Sequence, residues 1–156
     1  MGQLMDLIAG EEREIVLALS VDDVAGLADP DRFDAFLSLG GGLDPTWLDM
    51  FAEACRSVTG GSEPRDFLDA RQEVDGPADV GDRTVERVDR AWVHAIALIR
   101  DHDVDRVAGT WIALLEDDLG TLQREEKPWI RRLASDVVGF ARAAEGAPTV
   151  VFAWSL

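Results

Sequence analysis

A run of β-branched and aromatic residues close to the C-terminus, Thr149 to Trp154, predicts a β-strand. A strand needs a hydrogen-bonded neighbour, because its backbone N–H and C=O groups are otherwise left unpaired. The short apolar runs at 3–9 and 14–19 are the natural partners: their length and β-branching allow strands, although the same patterns also allow helices. We therefore expect a small sheet that uses both N- and C-terminal strands.

Two Asp-Pro pairs predict helix starts in the first half of the chain. Asp29-Pro30 and Asp44-Pro45 each put a capping side chain before a Pro at the first helical position. After the first pair, the apolar residues within 33–37 are three and four apart, which predicts one helix face. After the second pair, an apolar stripe continues until Gly60. Cys55 lies on that stripe, so we expect a buried, inert thiol.

Apolar stripes predict that the second half of the chain is helical, with helices over 84–100, from Asp103 to Gly120, and over 128–145. The segment 73–82 is acidic, contains Gly and Pro, and is predicted to be a surface loop. The fold class that follows is α+β and mainly α-helical, with five or six helices packed on a small sheet. The length predicts a single domain over 1–156.

The net charge limits the kinds of partner that such a domain can bind. Asp and Glu number 31 against 15 Lys and Arg, which gives −16 over 156 residues. Such a field repels the phosphates of nucleic acids and anionic membranes, so we expect neither as a partner. It favours rapid association with a basic protein. Two other origins of the charge remain open, the composition of a GC-rich genome and adaptation to salt.

The composition also indicates a folded protein. It is 47% hydrophobic and contains five Trp and six Phe, which is enough to form a core despite the charge. No apolar run approaches the roughly 20 residues of a membrane helix, and no signal-peptide pattern is found at the N-terminus. The one cysteine cannot form an internal disulfide. We therefore expect a cytoplasmic protein.

The densest group of candidate metal ligands is Asp101-His102-Asp103, with His94 one helical stretch upstream. This group lacks the twelve-residue calcium-loop pattern and the His-x-x-x-His spacing of zinc sites. The alternative is a polar turn between helices, with Asp103 as an N-cap, and we favour that interpretation. No catalytic motif and no cofactor-binding motif is found in the sequence, so we expect neither catalytic residues nor a cofactor.

Two acidic runs, Glu116-Asp117-Asp118 and Glu125-Glu126, could together form an acidic patch for a partner. The other feature of interest is tryptophan. Four of the five Trp residues lie on predicted apolar stripes, which favours core packing. Trp129, beside Pro128 at a predicted helix start, is the one that we expect to be exposed.

Several short motifs resemble the YfbM-like family of small uncharacterised bacterial proteins. The chain begins with Met1-Gly2, and Leu19-Ser20-x-Asp22-Asp23-Val24 is similar to an early helix start of that family. Leu43-Asp44-Pro45-Thr46-Trp47, followed by Val58-Thr59-Gly60-Gly61, resembles its Leu-Asp-x-x-Trp and Leu-Thr-Gly segments. A long C-terminal helix then leads to the final strand at 148–154. The resemblance implies an α+β domain and supplies no catalytic residues.

Three hypotheses about function follow. The first is an uncharacterised acidic cytoplasmic domain, whose charge reflects genome or habitat and which can form a homo-oligomer. The second is an immunity-type protein, or another protein-binding module, whose acidic surface docks a basic partner. The third is a carboxylate- or metal-dependent enzyme that uses Asp101, His102 and Asp103. The sequence favours the first two over the third.

Overall fold

The computed structural model describes residues 4–21, 24–40, 43–74 and 79–155. The helices are α1 Glu12–Ser20, α2 Val24–Leu27, α3 Thr46–Thr59, α4 Phe67–Ala70, α5 Arg90–Ala97, α6 Asp101–Leu119 and α7 Glu126–Ala144. The strands are β1 Leu4–Gly10, β2 Ala35–Ser38, β3 Arg71–Glu73, β4 Asp79–Val80, β5 Arg83–Val88 and β6 Thr149–Ser155. The predicted α+β, mainly helical class is confirmed. None of the helices described is both long and apolar enough to cross a membrane.

The strands form one antiparallel sheet in the order β2-β1-β6-β5-β3, with β4 paired to β5. The central pair is β1 with β6, in which Leu7 lies opposite Phe152. The predicted sheet between the two ends of the chain is therefore confirmed for the first apolar run. The second run, 14–19, lies within α1 instead.

The chain divides into two compact units. Unit 1 contains Met1–Leu43, Arg71–Arg90 and Ala143–Leu156, and unit 2 contains Asp44–Ala70 and Ala91–Arg142. Unit 1 carries the sheet, α1 and α2, whereas unit 2 carries α3, α4, α6 and most of α5 and α7. The single domain predicted over 1–156 stays a prediction.

In unit 1, α1 covers one face of the sheet. Its buried side chains Ile15, Ala18 and Leu19 belong to the same apolar cluster as Ile8 and Val151 of the central strands. These residues share a face because α1 presents every third or fourth residue and each strand presents every second one.

Ion pairs join the elements of unit 1, and two of them involve β5. The Arg83 guanidinium donates to the Asp6 carboxylate on β1, and both side chains are almost fully buried. Arg87 donates through Nε and Nη2 to Oε1 of Glu12, at 2.9 and 2.7 Å, which ties β5 to α1. Breaking the buried pair should lower the folding stability more than breaking the pair of Arg87 and Glu12, because removing one charge would leave the other without compensation in the interior.

In unit 2, aromatic side chains join α3 to α6. Phe51 of α3 meets Trp111 of α6 edge to face, with ring centroids 4.9 Å apart, and both side chains are fully buried. The indole N–H of Trp111 donates to the backbone carbonyl of Trp47 at 2.9 Å. Burying the indole is favourable because its one polar group finds an acceptor.

The helix predicted after Asp29-Pro30 is wrong, because the chain there forms β2. Phe36 lies opposite Ile8 of β1 and Leu37 opposite Leu7, so neighbouring residues take opposite faces of the sheet. The Asp29 carboxylate accepts a hydrogen bond from the backbone N–H of Asp31 at 2.9 Å and so forms a turn instead of a helix cap. Pairing with β1 overrides the local helical spacing.

The helix predicted over 84–100 is also wrong in its first part, where β5 precedes α5. The side chains of Val85 and Val88 are three residues apart, which suits a helix, yet in the strand they point to opposite faces. Val85 joins the cluster under α1, and Val88 lies opposite Arg71 of β3. Two apolar residues three apart in a six-residue segment cannot distinguish a strand from a helix.

The structure differs from the predicted loop over 73–82 at both of its ends. Glu73 belongs to β3 and pairs with Glu86, while Asp79–Val80 form β4. Val80 is buried in the cluster under α1. Gly81 then turns the chain with a φ of 62°, which a residue without a Cβ adopts at low cost. Residues 75–78 lie outside the described residues.

Candidate functional site

The predicted metal ligands Asp101, His102 and Asp103 occupy the first turn of α6. Arg142 donates to Oδ1 of Asp101 at 2.6 Å, and Arg106 donates to Oδ1 of Asp103 at 3.3 Å. The N-cap position belongs to Arg100, so the prediction that Asp103 caps the helix is wrong. Carboxylates in a first helical turn are favourable by themselves, since the helix dipole is positive there.

The carboxylates of this turn already have cationic partners. The exposed His102 imidazole lies 3.7 Å from the Asp103 carboxylate, through Nε2 and Oδ2, and His94 is exposed on α5. Within the described parts of the chain, no three His, Cys, Asp or Glu side chains form a group that could hold a metal ion. The metal site at Asp101, His102 and Asp103 therefore stays a prediction.

Cys55 is fully buried on α3, as its position on the apolar stripe predicts. Burial raises the pKa of its thiol from 9.0 to about 12, and the neighbouring Arg56 opposes this shift only in part. The thiolate is the nucleophilic form, so a raised pKa together with burial makes the group unreactive.

We expect Cys55 to resist a thiol-specific disulfide reagent in the native protein at pH 8. With a pKa of about 12, only about one thiol in ten thousand is ionised at that pH. One equivalent should react once urea unfolds the chain, and the Cys55→Ser variant should show no reaction in either state. Rapid reaction of the native protein would contradict the inert thiol.

Carboxylates crowd the end of α6. Glu116, Asp117 and Asp118 stand in its last turn, and no basic residue accompanies them there. The helix dipole is negative at this end, so each exposed carboxylate costs about 0.3–1 kcal/mol of helix stability. Because these carboxylates lower the stability of α6, their position favours a role in binding another molecule.

The start of α7 lies beside this acidic turn. The Lys127 ammonium approaches Oε1 of Glu116 at 3.2 Å and so joins α7 to the last turn of α6. The Glu126 carboxylate accepts from the backbone N–H of Gln123 at 2.8 Å. Leu119, the last residue of α6, is 54% exposed, and Glu125, directly before α7, is exposed as well. An exposed apolar side chain thus follows the acidic run 116–118 in the chain.

Two tryptophans meet at the start of α7. Trp129, in the first turn of α7, meets Trp47, in the first turn of α3, with ring centroids 6.4 Å apart and planes at 61°. Both residues are half-buried. The Trp47 backbone is held by the hydrogen bond from Trp111. We call the whole group the acidic–aromatic surface, which consists of Trp47, Asp117, Asp118, Leu119, Glu125 and Trp129.

The basic side chains around this surface are fewer than the carboxylates. Between 116 and 132 the chain has five carboxylates and four basic residues, Arg124, Lys127, Arg131 and Arg132, of which Lys127 is bound to Glu116 and Arg131 to Asp105. Many of the Arg side chains of the protein form ion pairs with Asp or Glu, and these are Arg32, Arg56, Arg71, Arg83, Arg87, Arg106, Arg131 and Arg142. The acidic–aromatic surface therefore keeps an excess of negative charge after the chain has folded.

The sequence predicted one part of this surface and missed another. The two acidic runs are largely exposed, as the sequence predicts, whereas Trp129, which was expected to be exposed, is half-buried. Trp47 was expected in the core, yet it is half-buried beside Trp129. Its position two residues after Pro45, in the first turn of a helix, is the same context that marked Trp129 and could have identified it.

A search of protein-family models, of curated proteins and of solved structures finds no match to this chain. The YfbM-like resemblance therefore stays a prediction. Among its motifs, Asp44-Pro45 does begin a helix and Gly60 does end it, with a φ of 77°. Met1-Gly2 and Asp22-Asp23 lie outside the described residues.

Proposed function

We propose that this chain is an acidic protein-binding module that docks a basic protein partner in the cytoplasm. The acidic–aromatic surface is the observation that carries the proposal. Trp is among the residues most enriched at the energetic centres of protein interfaces. A rim of like charges steers a partner of opposite charge and increases its association rate. Neutralisation of a basic toxin by an immunity-type protein would be one instance of such a function.

The self-associating alternative has weaker support. Each copy carries a formal charge of −16, so two copies repel each other, and the repulsion is strongest where carboxylates cluster. An acidity that reflects only genome or habitat would not by itself place carboxylates in the last turn of α6, where they lower helix stability. Binding of a basic partner would offset both the repulsion between like charges and the loss of helix stability.

The test is affinity capture of the tagged protein from a lysate of its own host, with washes of rising salt. We expect one stoichiometric basic protein to be retained at low salt and released at high salt, because interactions between solvent-exposed charges are screened by ions. An unrelated acidic protein of similar size and charge serves as the control bait, since it reveals simple ion exchange.

Three results would contradict the proposal. The bait alone could be recovered, the same proteins could bind the control bait equally well, or the retained partner could survive molar salt unchanged. The first result would leave a self-sufficient domain. The second would show that the binding is non-specific electrostatic attraction. The third would show that the acidic surface contributes little to the complex.

A further inference from the structure

We propose that the partner binds through a segment rich in arginine, whose guanidinium groups stack on the Trp47–Trp129 pair while their neighbours bind the surrounding carboxylates. This inference rests on the proposed function, and it adds the chemistry by which the acidic–aromatic surface selects its partner. The ligand is a basic peptide segment of another protein, because the excess negative charge of the surface is complementary to such a segment.

The geometry of the tryptophan pair leaves room for a cation. In an edge-to-face contact at 61°, the edge of one ring covers one face of the other, and the remaining faces of the pair are not covered by the partner ring; both residues are half-buried. A cation within roughly 6 Å of an indole centroid is attracted by the negative face of the ring, and Trp is the best of the aromatic side chains for this contact. Asp117 and Asp118 of the last turn of α6 and Glu125, directly before α7, supply the opposite charge.

Arginine suits this surface better than lysine. Its planar guanidinium stacks on aromatic faces, is more weakly hydrated than an ammonium group and binds a carboxylate through two parallel hydrogen bonds. Among the described residues, arginine makes a related contact with phenylalanine rings. The guanidinium carbon of Arg32 lies 5.2 Å from the ring centroid of Phe33, and that of Arg71 lies 5.6 Å from that of Phe152.

Leu119 completes the surface. It is 54% exposed in the middle of the acidic turn, so a bound segment that carries an apolar side chain beside its arginines would bury it. Burial of apolar area is favourable and insensitive to salt screening, which distinguishes it from the carboxylate contacts. The surface thus combines an aromatic contact, an apolar contact and a charged rim.

The test compares oligoarginine and oligolysine peptides of equal length by calorimetric titration of the whole chain. We expect the arginine peptide to bind more tightly. Trp129→Ala should weaken its binding about two- to five-fold, as expected for an exposed cation–π contact, and Trp129→Phe should restore part of the loss. A thermal melt of each variant checks that it is folded.

The charge contribution is tested separately with a matched pair of variants. The surface variant D117N/D118N/E125Q should weaken arginine-peptide binding and reduce its dependence on salt. The control E53Q/D69N/D136N removes the same charge from exposed positions of unit 2 outside the surface and should bind like the unmodified chain. All six carboxylates are exposed, so neither variant threatens the fold.

The outcomes separate this inference from the proposed function. Equal binding of the two peptides, or no effect of either Trp129→Ala or the surface variant, would overturn the inference. A partner captured from the host that binds Trp129→Ala as tightly as the unmodified chain would also overturn it, yet would leave the proposed function standing. Absence of any salt-released partner would contradict the proposed function itself.

Discussion

Replacing Arg83 by Met should lower the free energy of unfolding by about 3–5 kcal/mol, the cost typical of breaking a buried ion pair. Arg83 is 11% exposed and its partner Asp6 is 6% exposed, and Asp6 lies on the central strand β1. Without the guanidinium, the Asp6 carboxylate stays in the interior with its charge uncompensated. Urea unfolding followed by circular dichroism measures the loss.

Two further variants show whether the effect comes from the pair. The double variant D6L/R83M removes both charges, and it should recover most of the stability because well-packed apolar residues often replace a buried ion pair without loss. Asp105→Ala breaks the solvent-exposed pair with Arg131 and should cost no more than about 1 kcal/mol. Equal stability of Arg83→Met and the unmodified chain would contradict this role of the pair.

Replacing Trp111 by Ala should destabilise the protein by about 3–5 kcal/mol, the range observed when a buried aromatic side chain is truncated. The side chain is fully buried between α6 and α3 and packs against Phe51. Its removal leaves a cavity and deprives the Trp47 carbonyl of its donor. The same urea titration measures the change.

The variant Trp111→Phe separates the two effects, because it keeps an aromatic ring and loses the N–H donor. It should be less destabilising than Trp111→Ala. Leu98→Ala truncates a side chain that is 66% exposed, and it should change stability by no more than about 0.5 kcal/mol. If Trp111→Ala were as mild as Leu98→Ala, the aromatic contact between α3 and α6 would not stabilise unit 2.

The parts of the fold that were predictable are those whose local signals agree with the tertiary structure. The β-branched run at 149–154 forms β6, and α3 begins at Thr46, directly after Asp44-Pro45. The predicted cap is wrong in detail, because Pro45 takes the N-cap position and the Asp44 carboxylate instead accepts from the backbone N–H of Thr46 at 2.9 Å in a turn before the helix. The failures at 33–37 and 84–88 lie in short strands whose apolar spacing also fits a helix. There the strand is selected by pairing with β1 and with β6, which the local pattern does not contain.

Some residues of the acidic–aromatic surface could be predicted from the sequence, but the way in which they meet in the fold could not. The acidic runs follow from the sequence because charge runs are local features, whereas Trp129 was expected to be exposed and is half-buried. The contact between Trp129 and Trp47 joins residues of α7 and α3, and it depends on how α3, α6 and α7 pack. Likewise, the sequence could not predict that Arg142 binds Asp101 across 41 positions of the chain.

The most direct test of the acidic–aromatic surface is a titration of the 15N-labelled protein with the oligoarginine peptide, followed through the five indole N–H signals. We expect the signals of Trp47 and Trp129 to shift and those of the buried Trp92 and Trp111 to stay unchanged. We also expect the shifts to vanish at high salt. Movement of Trp92, Trp111 or Trp154 with Trp47 and Trp129 unchanged, or no movement of any signal, would contradict this role of the surface.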